Sequence, residues 1–119
     1  MPFSSDMCTR DTEYQKTMDS SESEHRFATP KMLFNIALAQ VRARILKESV
    51  KMPVLFLVAE EDRLVLPRAS IEVFNGLKAD AKEMVRYPGM YHALSIDLGR
   101  ELVFEDILKW MRGRLTVAL

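Results

Sequence analysis

The apolar and polar positions divide the chain into an irregular polar start followed by segments with clear periodicity. Residues 1–28 are rich in Ser, Asp, Glu and Thr and show no sustained period, which predicts a loop with at most one short helix. Thr29 and Pro30 mark a helix start. Thr can cap free N–H groups, and proline at the first helical position lacks only an N–H that would have no partner within the helix. The following helix is predicted to bury one face, formed by apolar residues at helical spacing: Leu33, Ala37, Val41 and Ile45.

The clearest strand lies at residues 54–58, where five apolar residues follow one another without a break. Such a run is typical of a parallel strand that is covered on both faces. Pro67 then opens a second helix, which we expect to end near Gly76. One face of this helix is apolar and consists of Ile71, Phe74 and Leu77, widened by Val73.

A second strand is predicted at Glu83 to Tyr87, and Pro88-Gly89 then turns the chain. The last helix should run from about Leu98 to Arg114, with its inward face formed by Leu102, Val103, Ile107, Trp110 and Met111. Strands that alternate with helices predict an α/β fold with a parallel sheet. Two strands leave apolar edges open, so the pattern indicates an incomplete sheet.

Composition narrows the choice of partners. The 119 residues are 48% hydrophobic, which indicates one globular domain, and 17 basic residues balance 17 acidic ones. The chain therefore has no net charge that would attract it to nucleic acid or an anionic membrane. No apolar run approaches the roughly 20 residues of a transmembrane helix. Cys8 is the only cysteine, and the first residues lack the pattern of a signal peptide, so we expect a cytoplasmic chain that is at most peripheral to a membrane.

Candidate chemistry lies just after the two strands, where the loops of a parallel sheet converge. Asp62 follows the first strand and His92 follows the second. Taken alone, each residue is more often a surface or structural residue than a catalytic group. Together they could share a hydrogen bond, and a carboxylate that fixes one imidazole nitrogen leaves the other free to take a proton from a nucleophile. Glu60 and Glu61 precede Asp62, and either could orient the imidazole in its place. The spacing of metal ligands is absent, and no cofactor is predicted.

Three segments resemble the C-terminal third of α/β hydrolases, and most closely the lysophospholipase and monoacylglycerol lipase group. They are MPVLFLVAEEDRLVLP at 52–67, YPGMYHAL at 87–94 and ILKWM at 107–111. The resemblance implies ester hydrolysis by a Ser–Asp–His triad, with Asp62 as the acid and His92 as the base. It also implies that residues 1–50 are the end of a cap or lid with its connecting helix, and that residues 51–119 are the C-terminal part of the hydrolase core.

One motif of that family is absent from the chain. None of the four glycines flanks a serine, so there is no Gly-x-Ser-x-Gly nucleophile elbow. We therefore expect a fragment of a serine carboxylic-ester hydrolase that supplies the acid and the base and is inactive alone. Its substrate in the complete enzyme would be a small acyl ester or a lipid.

Two alternatives remain open from the sequence. The chain could be a non-catalytic remnant that acts as an interaction module and covers its open sheet edge by pairing with another copy, as a homo-oligomer, or with another protein. A separate chain could instead supply the serine, so that two halves make one active site.

Overall fold

The computed structural model describes residues 4–23 and 27–115. Helices and strands alternate after a short helical start. In chain order the elements are α1 (Ser5–Cys8), α2 (Thr12–Ser20), α3 (Pro30–Leu46), a 3₁₀ turn (Lys47–Ser49), β1 (Val54–Ala59), α4 (Pro67–Gly76), β2 (Lys82–Tyr87) and α5 (Arg100–Leu115). Both predicted strands are confirmed to within one residue. Helix α4 begins at Pro67 and ends at Gly76, as predicted.

The sheet consists of β1 and β2 in the described residues, and the two strands are parallel. The register pairs Val54 with Lys82 at one end and Ala59 with Tyr87 at the other. Because parallel strands point the same way, the loops after Ala59 and Tyr87 leave the sheet at the same edge. The predicted α/β architecture with an incomplete parallel sheet is confirmed.

The core is small and lies at the carboxyl edge of the sheet. Tyr87, Met90 and Val103 are buried together, and half-buried residues pack around them: Leu57, Val85, Leu94 and Ile107. The inward face predicted for α5 is wrong at Leu102 and Met111, which are 55% and 47% exposed. A two-stranded sheet is narrower than the apolar face of this helix, so only the stripe through Val103 and Ile107 reaches it.

The buried face predicted for α3 is also wrong. Every residue from Pro30 to Leu46 is exposed, including Phe34 at 67% and Ile45 at 70%. Helical periodicity defines an apolar face but not what packs against it. Here the C-terminal half of α3 borders an open cleft of 510 Å³, whose other walls are Phe56, the loop at 64–66 and α4, so no described element packs closely along the helix.

Residues 4–23 contain two helices where the sequence predicts at most one. Asp11 caps α2, since its side chain accepts hydrogen bonds from the N–H groups of Glu13 and Tyr14. Asp followed by a short polar helix is an N-cap signal that the lack of apolar periodicity concealed.

Candidate acid–base site

The loop after β1 is held by backbone hydrogen bonds to the loop after β2. The Glu60 N–H donates to the Tyr87 carbonyl at 3.2 Å, and the Glu61 N–H donates to the Met90 carbonyl at 3.1 Å. These bonds join the two loops for two residues past the last strand pair, Ala59 and Tyr87. The backbone immediately before Asp62 is therefore fixed by hydrogen bonds.

Asp62 closes its own turn with one carboxylate oxygen. Its Oδ1 accepts from the N–H groups of Leu64 at 2.8 Å and Val65 at 2.9 Å. Asp side chains often hydrogen-bond to the backbone two or three residues on, which fixes the turn locally. The second oxygen, Oδ2, is left to point at the neighbouring loop.

The loop after β2 begins with the turn that Pro88-Gly89 predicts. Gly89 adopts φ 75°, a conformation that a residue with a Cβ enters at a cost, and the Met90 N–H donates back to the Tyr87 carbonyl at 3.3 Å. Met90 is buried in the core. The chain thus reaches His92 from an anchored position only two residues away.

Asp62 and His92 meet, as the sequence predicts. The Nδ1 atom of His92 lies 2.8 Å from Oδ2 of Asp62, and the side chains are 40% and 12% exposed respectively. Burial is the largest influence on the pKa of Asp62 and raises it, but hydrogen bonds from His92 and from the two backbone N–H groups outweigh it. The pKa of Asp62 thus lies below its ordinary value.

The ionised carboxylate determines which imidazole nitrogen carries a proton. A carboxylate can only accept, so Nδ1 must be the donor and, in the neutral ring, Nε2 holds the free lone pair. No hydrogen bond to Nε2 forms within the described residues. The pair can therefore take a proton at Nε2 while the carboxylate stabilises the resulting imidazolium.

Neither glutamate replaces Asp62. Glu60 forms an ion pair with Arg86 at 2.7 Å, and the exposed Glu61 contacts the second loop through its backbone only. Of the three acidic residues in this loop, the structure brings Asp62 alone to the imidazole.

A cleft of 240 Å³ opens beside the pair. Asp62 and His92 line it together with Ser70 and with apolar residues of β1, the two loops and the start of α4: Leu57, Val58, Ala59, Val65, Pro67 and Leu94. Arg63 lies outside this cleft and stacks its guanidinium on the Tyr91 ring, 4.3 Å from the centroid. The imidazole thus faces a mainly apolar space, and a cation covers the loop next to it.

Sequence reasoning missed Asp97, which lies five residues after His92. Its side chain is fully buried, and it accepts a hydrogen bond from the Tyr91 N–H at 2.7 Å. Its other partners, Thr9 and Arg10, are far away along the chain, so no local pattern indicates the contact. Within the described residues, no group of three or more His, Cys, Asp or Glu side chains could hold a metal ion.

None of the helices in the described part of the chain has the length and apolar content that crossing a bilayer requires.

Known proteins resemble both the sequence and the structure. Residues 1–99 match the family described as “Serine aminopeptidase, S33”. The thermostable monoacylglycerol lipase of Bacillus sp. (strain H-257) is 29% identical over 73 residues, which are 61% of this chain and 28% of that protein. The monoacylglycerol lipase of Paleococcus ferrophilus has a TM-score of 0.84 and 25% identity, and covers 91% of this chain and 42% of its own.

A third likeness concerns the fold alone. A soluble variant of monoglyceride lipase from Saccharomyces cerevisiae has a TM-score of 0.76 at 17% identity, over 95% of this chain and 43% of that one. The chain therefore spans less than half the length of each of these three proteins.

Proposed function

The chain belongs to the “Serine aminopeptidase, S33” family of hydrolases, and from that premise we propose that Asp62 and His92 are the acid and base of a Ser–Asp–His triad that hydrolyses carboxylic esters. The observation that carries the proposal is the 2.8 Å contact between Nδ1 of His92 and Oδ2 of Asp62. Nε2 takes the proton of a serine hydroxyl during attack and returns it to the leaving alcohol, while Asp62 stabilises the imidazolium.

The serine and the oxyanion-binding groups have to come from another segment or another chain. This sequence contains no Gly-x-Ser-x-Gly, and an acid–base pair without a nucleophile lacks covalent catalysis and electrostatic stabilisation of the oxyanion. The chain alone is therefore inactive under this proposal. Residues 1–50 would be the end of the cap and its connecting helix, and residues 51–119 would be the C-terminal part of the core.

The proposed substrate is a small acyl ester of the monoacylglycerol or lysophospholipid kind. Two observations support this class: the names of the lipase relatives, and the apolar lining of the cleft beside His92. A cytoplasmic location, at most peripheral to a membrane, belongs to the same proposal and is supported by the single cysteine.

A chimeric enzyme tests the proposal. The segment of the Bacillus monoacylglycerol lipase that matches this chain is replaced by the sequence described here, and hydrolysis of a monoacylglycerol and of a short-chain nitrophenyl ester is measured. We expect activity in the chimera, and we expect Asp62→Asn to lower kcat by about 10⁴-fold because the imidazole then holds its proton on the wrong nitrogen.

Asp80→Asn is the matched control, because Asp80 is an exposed aspartate at the opposite edge of the sheet. It should leave kcat unchanged. A folded, active chimera whose rate survives both Asp62→Asn and His92→Ala would refute the assigned roles.

A second candidate function is an interaction module that oligomerises without catalysis. The exposed apolar residues of α3 and the edge of β1 that faces away from β2 favour it. Light scattering on the purified chain decides this point, since a monomer at micromolar concentration contradicts the module.

A further inference from the structure

The buried carboxylate of Asp97 joins two distant parts of the chain. Its Oδ1 accepts from Thr9 Oγ1 at 3.1 Å and from the Arg10 N–H at 2.7 Å. Its Oδ2 accepts from Arg10 Nε at 3.0 Å and from the Tyr91 N–H at 2.7 Å. These four donors surround a side chain that is 0% exposed, and the Leu98 N–H is a fifth donor to the same carboxylate.

The same region also binds the other side of the histidine. The Ala93 N–H donates to the Cys8 carbonyl at 2.9 Å. The residue before His92 is therefore held by Asp97, and the residue after His92 is held by the segment that ends at Thr9. Between these two bonds the backbone of His92 has little freedom to turn.

Neither contact belongs to the sheet or to a helix. The loop from Tyr91 to Gly99 contains no strand pairing, and its hydrogen bonds to residues 8–10 replace the support that secondary structure would give. Irregular backbone keeps one conformation only when its polar groups are satisfied.

We propose that Asp97 is a positioning residue for His92, and that Thr9, Arg10 and Asp97 form a clamp that holds the imidazole in line with Asp62. The inference rests on the proposed function of His92 as the base. Its physical basis is that proton transfer needs the reacting groups to be aligned, and a misplacement of about 1 Å can cost about 10²-fold in rate. The segment before α2 is thereby a working part of the site, although it lies more than 80 residues away in sequence.

The Asp97 carboxylate has two roles, because it accepts hydrogen bonds from two different segments. The bonds from Thr9 and Arg10 fix the segment before α2, whereas the bond from the Tyr91 N–H acts directly on the loop from Tyr91 to Gly99, which contains His92. In Asp97→Asn the side chain keeps its shape, but its amide nitrogen cannot accept a hydrogen bond. One pair of donors must then face an NH₂ group and lose its partner.

The test determines which ring nitrogen of His92 carries the proton, in the unmodified chain and in its variants. The chain contains two histidines, so a His25→Gln variant assigns the signals in a proton–nitrogen correlation spectrum. In the unmodified chain we expect the His92 proton on Nδ1. In Asp97→Asn we expect a mixture of the two tautomers, because the ring no longer stays in line with Asp62.

Val103→Ala is the control for a merely structural effect. Val103 is 2% exposed and packs with Met90 and Leu94, so this variant also loses stability and some apolar contact beside His92, yet it removes no hydrogen bond to the loop from Tyr91 to Gly99. It should keep the Nδ1 proton. The proposal is overturned if folded Asp97→Asn keeps the pattern of the unmodified chain, or if Val103→Ala loses it to the same extent.

A measurement on the unmodified chain keeps the proposal testable if Asp97→Asn does not fold. The amide hydrogens of Tyr91 and Ala93 should exchange with solvent at least about tenfold more slowly than that of Ser95, which is exposed. Fast exchange at both amides would show that no clamp exists. Neither readout depends on ester hydrolysis, so an inactive chimera would remove the proposed function without deciding this result.

Discussion

Replacing Asp97 by Asn should lower the free energy of unfolding more than any surface change in this chain. The substitution conserves volume and shape, so no cavity forms and the effect comes from hydrogen bonds alone. With its carbonyl oxygen at the position of Oδ1, the new amide keeps Thr9 Oγ1 and the Arg10 N–H as donors. Its NH₂ group then faces Arg10 Nε and the Tyr91 N–H, and both bonds are lost.

The magnitude follows from these two bonds. A hydrogen bond to a charged group contributes about 1.5–3 kcal/mol, and a buried donor left without a partner costs about 1–3 kcal/mol. The Arg10 side chain is 33% exposed, so water replaces part of its loss, and the bond from the Tyr91 N–H is part-buried. Together these contributions give about 2.5–6 kcal/mol, which brackets the loss of about 3–5 kcal/mol expected when one partner of a buried ion pair is removed.

Urea denaturation followed by fluorescence measures this difference. Trp110 is the only tryptophan, and the Arg114 guanidinium lies 3.9 Å from its ring centroid, so the signal reports on α5. Asp80→Asn is again the matched control, and it should stay within about 0.5 kcal/mol of the unmodified chain. A loss below about 1 kcal/mol for Asp97→Asn would refute the argument from the lost bonds.

The pH dependence gives a second criterion. Burial is the largest influence on the pKa of Asp97 and raises it, but hydrogen bonds from three backbone N–H groups and Arg10 lower it below its ordinary value. A carboxyl group with a depressed folded pKa adds stability above its unfolded pKa, near 3.9, and loses it as the pH falls through the folded pKa. The difference between the two proteins should be constant from pH 7 to about pH 5 and shrink below pH 4. A difference that grew in acid would contradict the assignment.

Two further pairs of variants test the turn before the site and the core beneath it. Gly89→Ala should cost about 1–2 kcal/mol of unfolding free energy, because φ is 75° there while the nearest atom to an added Cβ is 3.9 Å away, so the cost is backbone strain alone. Gly113→Ala, in helical backbone with nothing within 4 Å, should instead stabilise by up to about 1 kcal/mol, and equal effects of the two would be inconsistent with this reading. Val103→Ala should cost about 2–3 kcal/mol from two buried methyl groups and the space they leave, whereas Leu102→Ala, at a site 55% exposed, should cost under about 1 kcal/mol in the same urea titration.

Local patterns were enough to predict both strands, the three long helices and the contact between Asp62 and His92. The apolar run at 54–58 became β1, and the turn at Pro88-Gly89 lies where it was expected. Asp62 and His92 meet because parallel strands carry their following loops to one edge, a rule that needs no knowledge of side-chain contacts. The resemblance to the monoacylglycerol lipase group and the fold class are likewise confirmed.

The features that could not be predicted, the exposure of α3 and the contacts of Asp97, depend on which groups meet in three dimensions. The periodicity of α3 correctly defines an apolar face, but burial of that face needs a neighbour, and the open cleft beside it shows that none packs closely. No local pattern indicates a role for Asp97, since its donors Thr9 and Arg10 lie almost 90 residues away. Only the folded chain brings these groups together.

The register of the two strands sets how insertions and deletions can accumulate in this protein. Asp62 is three residues past Ala59 and His92 is five past Tyr87, and those two strand ends are paired. Removing one residue from either loop shortens its reach by about 3.3 Å, which exceeds the 2.8 Å between Oδ2 and Nδ1. We therefore expect the two loops to change length only together, whereas the connection near Lys78, at the opposite edge, can lengthen without altering either reach.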